Sequence, residues 1–169
     1  PLTDGCYQNG KDWIVAGGQL NIQGMHLTDI DFLKNMNLNY LDMNNAEVEN
    51  GIFEPLTEMK NLDTLCMCNV NEAAAETLSK MSTLKSLVMW GGETSLEDLK
   101  PLKGMDELES LAFTAPISSV EGIEQFPSLN FLSVSFSLVK DLTPITGAEN
   151  LQIIDISNAE IENYEALFK

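Results

Sequence analysis

The chain has 169 residues, 44% of them hydrophobic, enough for one domain with a continuous core. Its 26 acidic residues outweigh 9 basic ones, and the formal net charge of −17 disfavours nucleic acid and anionic membranes as partners. Three cysteines exclude a disulfide scaffold, and no apolar run approaches the roughly 18 residues that a membrane helix needs.

In chain order, residues 1–16 (PLTDGCYQNGKDWIVA) come first, with Tyr7, Trp13, Ile14 and Val15 as their apolar content. They read as an N-terminal cap that sets Trp13 over the following coil. The first residue is Pro1 rather than Met, which is compatible with a removed N-terminal segment. From residue 17 to 169 the chain reads as one continuous repeat domain.

The pattern Leu-x-x-apolar-x-apolar occurs six times: LNYLDM (38–43), LDTLCM (62–67), LKSLVM (84–89), LESLAF (108–113), LNFLSV (129–134) and LQIIDI (151–156). The copies stand 24, 22, 24, 21 and 22 residues apart. A decayed copy, GGQLNI (17–22), has Gly17 in place of the first Leu. Such a repeat is a supersecondary unit that cannot bury its apolar face alone and must stack on its neighbours. Each copy predicts a short strand, and stacked copies predict a parallel sheet with about 4.8 Å between strands.

Between the copies a second beat places apolar residues three apart. Leu96, Leu99, Leu102, Met105 and Leu108 form one run; Val120, Ile123, Phe126 and Leu129 form another; Val139, Leu142, Ile145, Ala148 and Leu151 form a third. This spacing suits 3₁₀ turns with one face buried. NEAAAETLSKM (71–81) is rich in helix formers and predicts a short helix. The final segment, IENYEALFK, reads as a minimal cap or as the point where a longer protein continues.

These residues resemble leucine-rich repeats of the bacterial internalin-like class, VKDLTPITGAENLQIIDISNAEI (139–161) most closely. The resemblance implies an α/β solenoid of about six to seven coils. A curved parallel sheet would line its concave side, with 3₁₀ and short helical segments on the convex side. It also implies an Asn at the ninth position of each unit. Here that position holds Ala46, Val70, Gly92, Pro116, Ser137 and Ala159, with Asn one place earlier at Asn45, Asn69 and Asn158. Irregular turns are the expectation.

Side-chain alternation turns the third, fifth and seventh positions outward. The candidate partner-binding residues read from that rule are Tyr40, Asp42, Asn44, Thr64, Cys68, Trp90, Thr114, Phe131, Ser133 and Asp155. Trp90, in LVMWGG (87–92), is the central aromatic. Its competing reading is a ring folded over Gly91 and Gly92 to shield backbone. Most charge falls elsewhere, at Glu47, Glu49, Glu54, Glu58, Glu97, Asp98, Glu121, Glu124, Glu160 and Glu162, in turns and on the convex side.

Catalytic or metal chemistry is not expected. His26 is the sole histidine, and no phosphate loop, zinc signature or nucleophile elbow occurs. Cys66, Cys68 and Asp42 do not complete a tetrahedral site. The expectation is a non-enzymatic module, favoured as monomeric and without cofactor or metal, that binds a protein or peptide on its concave sheet. The resemblance implies a bacterial secreted or cell-surface protein. The alternatives are an intracellular scaffold or regulatory subunit, toward which the free cysteines lean, and a structural spacer in a longer chain.

Overall fold

A six-residue beat such as LNYLDM sends its fourth and sixth side chains to one face of a strand and its third and fifth to the other. In the computed structural model every copy forms that strand. The structure describes residues 6–8, 11–13, 17–49, 51–92, 94–114 and 116–169, with side chains from residue 17 on. In chain order the strands are β1 (Cys6–Gln8), β2 (Lys11–Trp13), β3 (Gln19–Asn21), β4 (His26–Leu27), β5 (Tyr40–Asp42), β6 (Glu47–Val48), β7 (Thr64–Met67), β8 (Ser86–Met89), β9 (Ser110–Phe113), β10 (Phe131–Ser133) and β11 (Ile153–Asp155).

Seven of them make one parallel sheet in the order β11-β10-β9-β8-β7-β5-β3, so each coil pairs with the next in sequence. The register sets Leu20, Leu41, Leu65, Leu87, Leu111, Leu132 and Ile154 side by side. From Leu20 to Leu132 these side chains are at most 1% exposed. Each fully buried Leu contributes about 1.5–3 kcal/mol by removal of apolar surface from water. The strand positions read from the sequence hold in every copy.

β1 and β2 pair antiparallel, with Tyr7 opposite Asp12. The packing expected of the cap, including Trp13 over the first coil, lies outside the described residues. β4 and β6 form a small second sheet beyond the first turn, carrying the His26–Glu47 pair at 2.8 Å. Its strands are two residues each, too short to show as a pattern in the sequence.

Among the described residues the turns of six coils share one geometry, which corrects the expectation of irregular turns there. At the eighth position Gly24, Asn45, Asn69, Gly91, Phe136 and Asn158 all take positive φ, between 46° and 66°. Left-handed backbone costs an ordinary residue about 1–2 kcal/mol, and Gly and Asn tolerate it best. The Asn residues one place early are therefore the residues that the turn requires, not a displaced ladder. Phe136 is the exception among them.

The return segments follow the spacing of three. 3₁₀ turns span Asp31–Asn35, Glu54–Glu58, Lys100–Leu102, Ile123–Gln125, Thr143–Gly147 and Glu165–Phe168. The expected helix is α1 (Glu72–Leu78). Asn71 caps it by accepting the Ala74 N–H at 2.9 Å, and Ala74, Ala75 and Leu78 face the core. At the far end the pattern continues but its burial does not. Leu151, Ile154 and Ile156 occupy core positions yet stay only half-buried, and Ile153 is 57% exposed.

Candidate functional site

The open face of the sheet is built from the third, fifth and seventh positions. Its fifth position does unexpected work. Asn21, Asp42 and Asp155 each accept the backbone N–H two residues on, from Gln23, Asn44 and Ser157, at 2.9, 3.0 and 2.9 Å. Ser133 does the same for Ser135 at 3.4 Å. That amide is thereby taken by a local side chain, and the strands in these coils end after three residues. Cys66, Val88 and Ala112 offer no such oxygen. There the ladder runs on, with Trp90 N–H to Met67 O and Thr114 N–H to Met89 O at 3.0 Å each, and β7, β8 and β9 are four residues long.

Two of the candidate contacts must be corrected. Cys68 and Ser133 sit at outward registers but are only 5% and 6% exposed. Both are small and are held by side chains or backbone of an adjacent coil. The Cys68 sulfur accepts the Asn45 N–H at 2.9 Å, and the Ser133 hydroxyl donates to Asp155 at 3.1 Å. They shape the face from beneath. Tyr40, Asp42, Asn44, Thr64, Thr114, Phe131 and Asp155 are half-buried. The Asn44 side-chain oxygen is buried without a hydrogen-bond partner. Asp155 is held below the usual carboxylate range, chiefly by the Ser157 hydroxyl and backbone, with Ser133 and Ser135 adding to it.

Cys66 and Tyr40 are coupled across adjacent strands, sulfur to phenol oxygen at 3.6 Å. Burial pushes the Cys66 thiol up. The Tyr40 phenol is pushed up to about 12, first by its contact with Cys66 and then by burial. Both stay protonated near neutrality. Cys66, on β7, and Cys68, just beyond its end, are free and buried. Among the described residues no group of three His, Cys, Asp or Glu side chains is arranged to hold a metal.

Trp90 stands on the open face, 55% exposed, between coils that present Cys68 and Thr114. The adjoining turn is satisfied without it. Thr114 Oγ1 accepts the Gly91 N–H at 3.0 Å, and the Thr94 hydroxyl donates to Gly91 O at 3.4 Å. Gly92 has φ of +71°, and a side chain there would press on Asn69 Oδ1 at 2.3 Å. The ring is not needed to shield that backbone.

Alternation turns Ile153 outward, but sequence reasoning did not name it as a contact, and it missed the exposed Phe136 and Leu138. Ile153 pairs with Phe131 in register and extends its patch to the last strand. Phe136 and Leu138, on the turn after β10, are 65% and 58% exposed. Phe136 could have been found as the aromatic at an eighth position, where other coils use Gly or Asn. No helix among the described residues is long and apolar enough to cross a membrane.

No protein-family profile matches the chain. Over 81 residues it is 36% identical to leucine-rich repeat-containing G-protein coupled receptor 5 of Rattus norvegicus, covering 46% of this chain and 9% of the receptor. Among solved structures it is similar to an internalin (inlF) from Listeria monocytogenes, with TM-score 0.57 and 19% identity, over 89% of this chain and 50% of that one. Internalin C2 of the same organism gives TM-score 0.51 at 16% identity, over 83% of this chain and 80% of that one. The functional domain of InlJ, also from Listeria monocytogenes, gives 0.55 at 19% identity, over 81% and 30%. The chain thus spans a small fraction of the receptor and half of the first internalin. Seven strands in sequential parallel order, 3₁₀ returns and these neighbours agree: the chain has a leucine-rich-repeat solenoid fold, similar to that of internalins.

Proposed function

We propose that the chain is a non-enzymatic recognition module that binds a protein or peptide on the open, concave face of its sheet. The observation that carries this is Trp90, 55% exposed at the centre of a seven-stranded scaffold that does not need it for packing. Aromatic anchors flanked by small residues are the usual energetic centres of protein interfaces. Cys68 and Thr114 are the small neighbours of Trp90 in the adjacent coils, while Tyr40, Thr64, Ser86, Phe131 and Ile153 form a second row at the other end of the strands. The likeness to internalins supports placement in a bacterial secreted or cell-surface protein.

The test is a pull-down with the wild-type chain beside a Tyr40→Ala, Trp90→Ala, Phe131→Ala triple variant. Each is exposed to lysates and to surface extracts of candidate host cells, and retained proteins are identified by mass spectrometry. A protein held by the wild type and lost by the variant supports the reading. Equal retention by both moves the contact off this face. Retention of cytosolic regulators alone would favour an intracellular scaffold, and retention of nothing would favour a structural spacer.

A further inference from the structure

Three of the exposed large apolar side chains, Trp90, Phe136 and Leu138, lie in turns after strands, apart from Ile153 on the last strand and from Ile52, Tyr164, Leu167 and Phe168. Trp90 follows β8 directly, and Phe136 and Leu138 lie in the turn after β10, so all three stand beyond the C-terminal ends of their strands. β8 and β10 flank β9, so two strand spacings, about 10 Å, separate the two coils. Between them lie Thr114, whose hydroxyl is turned onto Gly91, and exposed Pro116. Trp90, Pro116, Phe136 and Leu138 make an apolar ridge along the turns at the C-terminal ends of the strands.

Two observations point to a ligand here. The first is Phe136. It holds φ of +58°, where three other coils place Asn and two place Gly, and it gains little burial in return. Strain kept in an exposed aromatic marks a position selected for something other than stability. The second is charge. Leu138 and Glu160 lie beside one another, because Glu162 N–H reaches Lys140 O at 2.8 Å two residues further along each coil. Two of the four lysines on these coils are engaged in ion pairs. Lys100 is bridged to Asp98 and Glu121, and Lys140 is bridged to Glu162. Glu97, exposed on the same coil as Trp90, has no bridging lysine among the described residues. The whole chain carries −17.

We infer that this ridge receives a basic segment of the partner protein, with apolar side chains set on Trp90 and Phe136 and Lys or Arg residues facing Glu97, Asp155 and Glu160. The inference rests on the recognition reading above and names where on the module, and to what chemistry, it binds. Complementary charge of this kind speeds encounter and makes binding weaken with salt.

The probe is a displayed library of random 12-residue peptides, selected on the immobilised full chain. Two variants of the whole chain separate the possibilities: Phe136→Asn with Leu138→Ser on the ridge, and Tyr40→Ala with Phe131→Ala on the sheet. The expected result is enriched peptides of net positive charge with an aromatic or aliphatic residue. Their affinity should fall on the order of tenfold or more from low to high salt, and on the order of tenfold in the ridge variant, with little change in the sheet variant. Enriched peptides without positive charge, or binding indifferent to salt, would overturn the inference. Binding lost only in the sheet variant would also overturn it, while leaving the concave face as the site. No enrichment at all would count against both readings. Thermal melts of the ridge variant at or above wild type show that any loss is not unfolding.

Discussion

Replacing Phe136 with Asn should make the protein more stable, although it deletes an aromatic ring. Phe136 sits at φ +58° and is 65% exposed. Left-handed backbone costs a bulky residue about 1–2 kcal/mol, and much of that cost is relieved by Asn, which hydrogen-bonds locally in this region. Full burial of a Phe stabilises by about 1.5–3 kcal/mol, so the third of the ring that is covered contributes about 0.5–1 kcal/mol. The balance for Phe136→Asn is a gain of up to about 1 kcal/mol, read as a rise of about 2–4 °C per kcal/mol in the melting midpoint for a chain of this size. Phe136→Ala is the control. It loses the same contacts but keeps a Cβ in the strained turn, so it should lose about 0.5–1 kcal/mol. Urea denaturation followed by far-ultraviolet circular dichroism measures both. An Asn variant less stable than wild type by 1 kcal/mol or more, or equal effects of Asn and Ala, would refute the argument from strain.

The remaining predictions concern the ladder, one turn and the acid limb. Leu87→Ala, at 0% exposure in a central strand, should cost about 2–5 kcal/mol, whereas Leu151→Ala in the half-buried last coil should cost clearly less; equal costs would mean that the end coil is as well packed as the middle. Gly92→Ala combines φ of +71° with a contact at 2.3 Å on Asn69, so it should cost more than about 1 kcal/mol, and an unchanged denaturation midpoint would contradict the turn geometry. Asp141 and Asp155 both have depressed pKa values, Asp141 chiefly through the Thr143 hydroxyl and backbone. Their folded pKa values lie below the unfolded value, so their contribution is complete above the ordinary carboxylate pKa of 3.8 and is lost as pH falls through the lower folded values. An Asp141→Asn, Asp155→Asn variant keeps acceptors at both sites and should therefore lose less stability than wild type between pH 5 and pH 2; identical pH profiles would show that neither carboxylate titrates differently in the folded state.

Part of the site was legible in the residues and part was not. Trp90 was found because strand alternation assigns every outward position once the Leu register is known, and its exposure follows from that register. Asp42 and Asp155 were placed on the correct face, but alternation says nothing of whether a carboxylate is free. Both are committed to the amides of Asn44 and Ser157. Cys68 and Ser133 show the opposite limit. Their direction was right and their exposure wrong: each small side chain is engaged by a neighbouring coil, Cys68 by Asn45 and Ser133 by Asp155. The role of Asn45, Asn69 and Asn158 was misread as displacement, because left-handed backbone is a property of the closed turn.

What the amino-acid sequence determined by itself is the set of local rules: where each strand starts, which Leu faces inward, where α1 forms and where 3₁₀ turns return the chain. These depend on periods of two and three within a few residues, and local sterics and apolar spacing suffice to specify them. The tertiary structure alone decided which outward residues are reachable, which carboxylates are engaged, where β4 meets β6, and that the turns carrying Trp90 and Phe136 stand two coils apart at the same end of the strands. Each of these is a relation between residues about one repeat or more apart, and it exists only once parallel pairing has stacked the coils in register.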